Sequence, residues 1–172
     1  MPMHDGKSPP SLRQLFDDNA RYIWRCLRHL GVAEADVEDV CQEVFITAHR
    51  KLSEFEGRSS LRTWLYAICL RHASDYRRRA HVRLERPTAE LPAAEDEHEP
   101  HAAAESRRVL QVLLSRLDPD KREVVVLYEL EGFTMKEVAE ILECPLQTAY
   151  SRLHAGRERM VAAAAELEAK HG

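Results

Sequence analysis

The chain of 172 residues has few of the residues that interrupt helices and no long apolar run. It contains six glycines and eight prolines, and 44% of its residues are hydrophobic against 31% charged, a balance typical of a folded, helix-rich protein. Its longest apolar runs, VVVL at 124–127 and VAAAA at 161–165, are far shorter than the roughly 18 residues that a membrane span needs. The amino-terminal segment lacks the apolar stretch of a secretory signal. We therefore expect a cytoplasmic protein that inserts into no membrane.

Residue patterns that bind cofactors or catalyse reactions are also missing. The glycines form neither a P-loop nor a G-x-G-x-x-G fingerprint, and no nucleophile and base stand at a usable spacing. His98 and His101 have a spacing that occurs in metal sites, but no neighbouring sequence pattern would fix the geometry of their side chains. The sequence predicts no enzyme, no metal, no cofactor and no small-molecule substrate. The cysteines form no C-x-x-C pair, which favours reduced thiols over a disulfide frame; they are Cys26, Cys41, Cys69 and Cys144.

Charge is unevenly distributed along the chain, although the net charge is only −4. Residues 62–86 hold seven arginines and two acids, a net +5, whereas residues 87–105 hold six acids and no Lys or Arg. The acidic segment also contains three prolines and no aromatic residue, so it cannot bury enough apolar surface to fold alone. We interpret residues 87–104 as a flexible acidic linker between two small helical domains, residues 11–86 and 105–168. The predicted class is all-α.

Apolar residues recur at steps of three or four in the first domain and predict three helices. The first begins near Leu12, buries a stripe that includes Phe16 and ends near Gly31. The third begins at Leu61, after the loop 54–60, and is apolar first and cationic later. The second helix is amphipathic, with acids outside an apolar stripe made of Val37, Val40, Cys41, Val44, Phe45, Ala48 and Leu52.

The second domain opens with a helix predicted from about Ala104 to Leu117. Asp118 followed by Pro119 is an N-cap with proline at the first helical position, so a new helix starts there. Gly132 is a natural end for that second helix.

A helix-turn-helix pattern follows. Thr134 and Glu137 have the spacing of a capping box, and a short helix from there reaches Leu142. A longer helix opens after Pro145, and the small side chain of Ala139 leaves room for the two helices to cross closely. The alternative is a solvated surface helix with a charged tail. The outward face of the last helix carries side chains suited to base edges and phosphates: Gln147, Thr148, Tyr150, Ser151, Arg152, His154, Arg157 and Arg159.

The third helix combines aromatic and cationic residues in a way that suits single-stranded nucleic acid. Trp64, Tyr66 and Tyr76 interleave with arginines, so exposed bases can stack on rings while guanidinium groups follow the phosphates. For Trp64 the alternative is burial, because it shares a stripe with apolar neighbours. The cationic members of this stretch are Arg62, Arg71, Arg77, Arg78, Arg79 and Arg83.

Three segments in this order resemble a bacterial RNA polymerase sigma factor of the small extracytoplasmic-function group. DVEDVCQEVF at 36–45 resembles the helix that binds core polymerase, residues 55–79 resemble the promoter-melting region, and residues 134–160 resemble the reader of the upstream element. The resemblance covers about residues 11–165. It implies an initiation factor that binds the clamp region of core RNA polymerase. It also implies binding of promoter DNA at two elements, the melted −10 element as a single strand and the −35 element as duplex.

The resemblance also assigns residues to these tasks. Core polymerase binding falls to Asp36, Asp39, Gln42 and Glu43, with Phe45 in the core. Binding to −10 DNA falls to Gly57, Arg58, Ser59, Ser60, Arg62, Trp64, Arg71, Asp75, Arg78 and Arg79. Binding to −35 DNA falls to Gln147, Thr148, Tyr150, Ser151, Arg152, His154 and Arg157.

Three departures from the family pattern prevent us from assigning the family's promoter sequence to this chain. Arg71 replaces a frequent Asn, Glu143 replaces a usual Gly at the turn, and Ala149 with Tyr150 replaces a common Val-Lys pair. A left-handed residue at the turn would cost Glu143 roughly 1 kcal/mol. The exposed binding faces imply an anti-sigma factor as a further partner. The rival hypothesis is a stand-alone helix-turn-helix transcriptional regulator, which would bind symmetric half-sites as a dimer.

Overall fold

The computed structural model describes residues 10–83 and 101–171, with the side chains of residues 10–80 and 102–169. Every regular element in these ranges is helical. The chain divides into two compact units between residues 90 and 91, within the acidic segment. The all-α prediction with two helical units is therefore confirmed.

The first unit contains three α-helices: α1 (Leu12–His29), α2 (Val37–Lys51) and α3 (Leu61–Arg83). Ser11 and Gln14 form a capping box at the start of α1, and Gly31, with φ of 98°, follows its end. Short 3-10 turns precede and follow α2. The three helices contact one another pairwise. Their shared core includes Leu15, Ile23, Leu27, Leu30, Val44, Ala48, Leu65, Tyr66, Cys69 and Ala73.

The predicted stripe of α2 is buried from Val37 to Ala48, and only Leu52, in the following turn, is half-buried. Phe16 differs from its prediction as a core residue. Its side chain is 42% exposed, because it lies at the edge of α1 and covers Phe45, with ring centroids 4.9 Å apart. Helical periodicity alone does not separate such an edge position from the centre of a stripe.

The predicted linker, residues 87–104, lies mostly outside the described residues. Helix α4 (His101–Ser115) begins three residues before the predicted start at Ala104, so residues 101–104 are helical. Three consecutive alanines at 102–104 explain the earlier start, since alanine has the highest helix propensity. Of the two linker histidines, His98 is outside the described residues and His101 is the first residue of α4.

The second unit continues with α5 (Pro119–Val125), a π-helical segment (Val126–Leu130), α6 (Met135–Ile141) and α7 (Leu146–His171). Asp118 caps α5 by accepting a hydrogen bond from the Lys121 backbone N–H at 3.1 Å, as predicted from the Asp-Pro pair. Gly132 has φ of 73° after the π segment, and the capping box of Thr134 and Glu137 starts α6. The π segment is not evident from the sequence pattern.

Helices α6 and α7 form the predicted helix-turn-helix. The turn is a Schellman motif: the Cys144 N–H donates to the Ala139 carbonyl at 3.0 Å, and the Glu143 N–H donates to the Glu140 carbonyl at 3.2 Å. Glu143 has φ of 51°, so it adopts the left-handed conformation expected at this position. Ala139 is buried in the crossing as predicted, together with Leu153, and Ile141 beside them is half-buried.

Helix α7 has 26 residues. Its recognition segment, residues 146–159, carries the outward-facing residues predicted above, and the helix continues well past it. It packs against α5 at Gly156, where an added Cβ would lie 2.7 Å from a methyl group of Val125. Only glycine allows this close approach of the two helices. Gly156 therefore fixes how the recognition segment of α7 is held on the unit.

Candidate polymerase and nucleic-acid interfaces

The four residues assigned to polymerase binding are all exposed on or next to α2. Asp36 accepts a hydrogen bond from the Tyr76 hydroxyl at 2.6 Å, which ties the start of α2 to α3. Glu43 lies 3.5 Å from Nδ1 of His72 and 3.6 Å from a guanidinium nitrogen of Arg79, both on α3. Polar groups of α2 thus form a continuous exposed face whose inner edge is anchored by α3. The four residues are Asp36, Asp39, Gln42 and Glu43.

Ile46 belongs to this face but was missed from the sequence. It follows Asp39 by two helical turns and Gln42 by one, and its side chain is 47% exposed, unlike the neighbouring Phe45, which is buried. An exposed isoleucine among carboxylates gives the face an apolar contact point, as found at the centre of protein interfaces. The signal was present in the sequence, because position 46 falls outside the buried stripe of α2.

A cysteine thiol lies directly behind this face. Cys41 is buried, and burial followed by the nearby Glu38 carboxylate raises the pKa of its thiol to about 11. The thiol therefore stays protonated at neutral pH and packs as a small apolar group. Cys26 and Cys69 are also buried, and all four cysteines are free, in agreement with the prediction of reduced thiols.

The loop before α3 exposes the first four residues predicted to bind the −10 element, at positions 57–60. Gly57 has φ of 70° and open space around it, and Arg58 pairs with Glu56. Ser60 starts α3: its hydroxyl accepts a hydrogen bond from the Thr63 backbone N–H at 3.1 Å. Ser59 is exposed beside it. Because the glycine and two serines leave the backbone accessible, an extended strand can approach this loop closely.

Trp64 and Tyr66 differ in how deeply they are buried. Trp64 is half-buried, with its ring centroid 5.2 Å from that of Phe55, so part of its indole is accessible next to the loop. Tyr66 is completely buried, and its predicted role as a stacking partner for bases is wrong. It lies one turn from Cys69 and two turns from Ala73, which are both buried on the core side of α3.

The arginines of α3 have distinct partners. The Arg62 guanidinium lies 4.7 Å from the ring centroid of Tyr22, and Arg78 pairs with Asp75 one turn earlier. Arg71 is exposed. Arg77 donates to the Leu30 carbonyl at 2.6 Å and so caps the end of α1, which makes it a structural residue rather than part of a cationic stripe.

The recognition segment of α7 separates into a central face and two flanks. Gln147, Tyr150, Ser151 and His154 are exposed in the centre, and the side chain of Tyr150 is 50% exposed. Nε2 of His154 lies 3.5 Å from the Glu158 carboxylate. Thr148 is half-buried, and its backbone N–H donates to the Pro145 carbonyl at 2.9 Å. These positions agree with the outward face predicted from helical spacing.

Both flanking arginines make ion pairs with the preceding elements. Arg152 binds Asp120 of α5 at 2.5 Å. Two nitrogens of Arg157 contact the Glu129 carboxylate at 2.5 and 2.6 Å, and its guanidinium lies 5.7 Å from the ring centroid of Tyr128. Arg159 pairs with Glu166 on α7 itself at 2.9 Å. The sequence indicated exposed cations here but not the carboxylates that orient them.

Within residues 10–83 and 101–171, no group of three or more histidines, cysteines or acids is arranged to hold a metal ion. No helix in the same ranges is long and apolar enough to cross a membrane.

Family models of known proteins match both helical units. The family model for sigma-70 region 2 matches residues 15–83, and the model for sigma-70, region 4 matches residues 107–160. The ECF RNA polymerase sigma-E factor of Haemophilus influenzae is 33% identical over 143 residues, with 74% of each chain covered. That of Escherichia coli strain K12 is 33% identical over 141 residues, with 74% of this chain and 73% of the relative covered.

Two solved structures share the fold. CnrH in complex with the cytosolic domain of CnrY has a TM-score of 0.65 and 26% identity, covering 88% of this chain and 85% of that one. The sigma factor RpoE of Bartonella quintana, in complex with the anti-sigma factor NepR, has a TM-score of 0.72 and 20% identity, covering 88% and 94%.

Two helical units that match sigma-70 region 2 and sigma-70, region 4 define a protein of the sigma-70 class. With both family models and the curated relatives in agreement, the chain belongs to the extracytoplasmic-function RNA polymerase sigma factors. It is a transcription initiation factor that directs RNA polymerase, and this family is not one of enzymes.

Proposed function

We propose that the chain divides promoter recognition between its two units. The first binds core RNA polymerase through the α2 face and the melted −10 strand through the loop 56–60 and α3. The second binds the −35 element as duplex through α7. The observation that carries this proposal is that each exposed face has polar side chains at its centre and guanidinium groups beside it, on separate units.

The α2 face supports the polymerase assignment through its composition. Asp39 and Gln42 are exposed, and Ile46 is exposed one helical turn after Gln42, so polar groups and one apolar contact share this face. The partner surface should be cationic with an apolar pocket, since charge complementarity guides encounter and a central apolar group adds affinity. Glu43 joins this face to Arg79, a residue assigned to −10 DNA, so polymerase and DNA surfaces share one ion pair.

The −10 assignment rests on the accessible loop and the aromatic edge beside it. A base that leaves the duplex costs a few kcal/mol of stacking, which a protein surface must replace. Trp64 offers part of an indole ring, and the Ser59 and Ser60 hydroxyls offer hydrogen bonds at the loop. Arg62 and Arg78 lie on the same helix and can contact phosphates on either side of such a base.

The −35 assignment rests on α7. Its recognition segment spans roughly 20 Å at about 1.5 Å per residue, enough to lie along a major groove. Arg152 and Arg157 flank the central face and remain partly exposed on their outer edges, at 29% and 54% of the side chain. Guanidinium groups at the margins of a recognition helix meet phosphates, whereas the centre meets bases.

Partners and location follow from the same proposal. The related RpoE is solved in complex with the anti-sigma factor NepR, and CnrH in complex with the cytosolic domain of CnrY. The exposed α2 and α7 faces suit an anti-sigma factor that competes with polymerase or DNA. The chain would act in the cytoplasm, where polymerase is. The acidic segment, which lies mostly outside the described residues, would follow the path of nucleic acid through polymerase because its charge resembles that of a phosphate backbone.

Equilibrium binding to bacterial core RNA polymerase, with a housekeeping sigma factor as competitor, tests this function without knowledge of the promoter. Wild-type chain should bind and be displaced. Asp39→Arg combined with Gln42→Arg should reduce affinity at least a hundredfold, since two cations replace an acceptor face, roughly 3 kcal/mol. Asp17→Arg on α1, also exposed, is the charge-reversal control and should bind as wild type. Unchanged binding by the double variant would place the interface elsewhere, and no binding by wild type would favour a stand-alone regulator.

A further inference from the structure

The central face of the α7 recognition segment carries no arginine or lysine. The three arginines of α7 all pair with carboxylates: Arg152 with Asp120, Arg157 with Glu129 and Arg159 with Glu166. Positions 152 and 157 lie on opposite sides of the buried stripe of Ala149, Leu153 and Gly156, so they occupy the two margins of the exposed face.

This distribution restricts which base pairs the helix can read. The commonest specific contact in the major groove is an arginine or lysine that donates to N7 and O6 of guanine, and the centre of this face offers neither. Gln147 is exposed in the first turn of α7 and can bond in bidentate fashion to N7 and N6 of adenine. His154 lies two turns later with Nε2 directed at Glu158.

Tyr150 supplies the second kind of contact. It is one of seven large hydrophobic or aromatic side chains that are exposed among the described residues, and half of its surface is accessible. An exposed ring on a recognition helix can pack on the C5-methyl group of thymine, the apolar feature of the major groove. Gln147 and Tyr150 are three residues apart, about 4.5 Å along the helix, which is close to one base-pair step.

We propose that α7 recognises a duplex containing adjacent A·T pairs, with Gln147 reading adenine and the ring of Tyr150 reading a thymine methyl group. Arg152 and Arg157 then contact phosphates only, in orientations set by Asp120 and Glu129. This inference rests on the proposed function of α7 as reader of the −35 element, and it names the bases that this reader prefers.

The test begins with a random duplex library from which holoenzyme, made of core polymerase and the full chain, selects its promoter. The selected upstream element should contain A·T pairs where Gln147 and Tyr150 dock. Replacing its thymines by deoxyuridine removes only the methyl groups and should weaken wild-type binding about threefold to fivefold per contacted thymine, the value of one buried methyl group.

Variants assign the effect to residues. Tyr150→Ala should bind the thymine duplex more weakly and lose its sensitivity to deoxyuridine, whereas Tyr150→Phe should keep that sensitivity because the ring remains. Gln147→Ala should relax selection at the adenine. Arg152→Ala with Arg157→Ala should weaken binding to both duplexes equally and lower the salt dependence. Val161→Ala, exposed further along α7, is the control and should match wild type.

The outcomes separate this inference from the function on which it rests. A selected element that is G·C throughout the α7 footprint, or a Tyr150→Ala holoenzyme that keeps the full deoxyuridine penalty, overturns the inference and leaves duplex recognition intact. A holoenzyme that selects no upstream element removes the proposed function of α7, and the inference with it.

Discussion

At the scale of residues, arginines that look alike in the sequence have very different surroundings. Arg77 donates a hydrogen bond to the Leu30 carbonyl at the end of α1, and Arg62 lies against the ring of Tyr22. Arg157 forms an ion pair with Glu129 and contacts the ring of Tyr128. A guanidinium has five donors in a rigid fork, so one edge can be bound inside the protein while the other stays available to a phosphate. The function of each arginine therefore depends on which edge its neighbours occupy.

Glu143 has a left-handed backbone conformation, which is unfavourable for any residue with a Cβ atom. Among the described residues it is the sole non-glycine with positive φ, at 51°, and it occupies the C′ position of the Schellman motif, where glycine has no steric penalty. The family resemblance indicated this position from the sequence alone.

Glu143→Gly should therefore stabilise the second unit by about 1 kcal/mol. In a unit of this size that corresponds to a rise in melting temperature of about 4–8 °C, measured by circular dichroism. Glu143→Ala is the control, because it removes the carboxylate but keeps Cβ and should give no such rise. An equal gain from both variants would show that the charge of Glu143, and not its φ, is the cause.

At the scale of elements, helix starts were the most predictable feature. Asp118 and the pair of Thr134 and Glu137 cap α5 and α6 as expected, because capping depends on side chains within three residues of one another. The Glu137 carboxylate accepts hydrogen bonds from the Thr134 N–H and hydroxyl, both at 2.8 Å, and these lower its pKa. The side chain and backbone N–H of Lys121 likewise lower the pKa of Asp118.

These two shifts predict how stability changes with pH. A carboxyl group whose pKa is lower in the folded state contributes stability above its unfolded pKa, about 4, and that contribution disappears as pH falls through the folded pKa. Glu137→Gln should therefore melt below wild type at pH 7, and this difference in melting temperature should shrink as the pH is lowered from 7 to 3. The exposed Glu140, on the same helix but outside the cap, is the control position for Glu140→Gln. A melting difference for Glu137→Gln that is the same at both pH values would contradict a charged cap.

The π segment is the element that the sequence pattern did not reveal. Its five residues follow α5 directly, and the Glu131 N–H donates to the Val126 carbonyl at 3.0 Å, five residues back. The segment carries both groups that hold Arg157, namely Tyr128 and Glu129. A single wider turn is too short to alter helical periodicity detectably, so its contribution to the proposed DNA-binding face of α7 appears only in three dimensions.

At the scale of the whole molecule, each unit has a core of its own. Leu27 in the first unit and Leu127 in the second are both completely buried among residues of their own unit. Units of this size bury only about 60% of their unfolded surface, so each has little stability to spare.

Leu27→Ala and Leu127→Ala form a matched pair of variants, each expected to cost about 2–5 kcal/mol. Amide hydrogen exchange followed by mass spectrometry should show lost protection in the unit that carries the substitution and unchanged protection in the other. Loss of protection throughout the chain from either variant would mean that the two units fold as one cooperative body.

The sequence alone determined the features that depend on near neighbours: the helices, their caps, the buried stripe of α2, the left-handed turn at Glu143 and the order of motifs that resembles a sigma factor. Only the tertiary structure decided which groups meet across helices. It buried Tyr66, assigned Arg77 to the end of α1 and placed acids beside Arg152 and Arg157. The physical reason is range: periodicity and capping act within a few residues, whereas these contacts join positions 28 to 47 residues apart and exist only once the helices have packed.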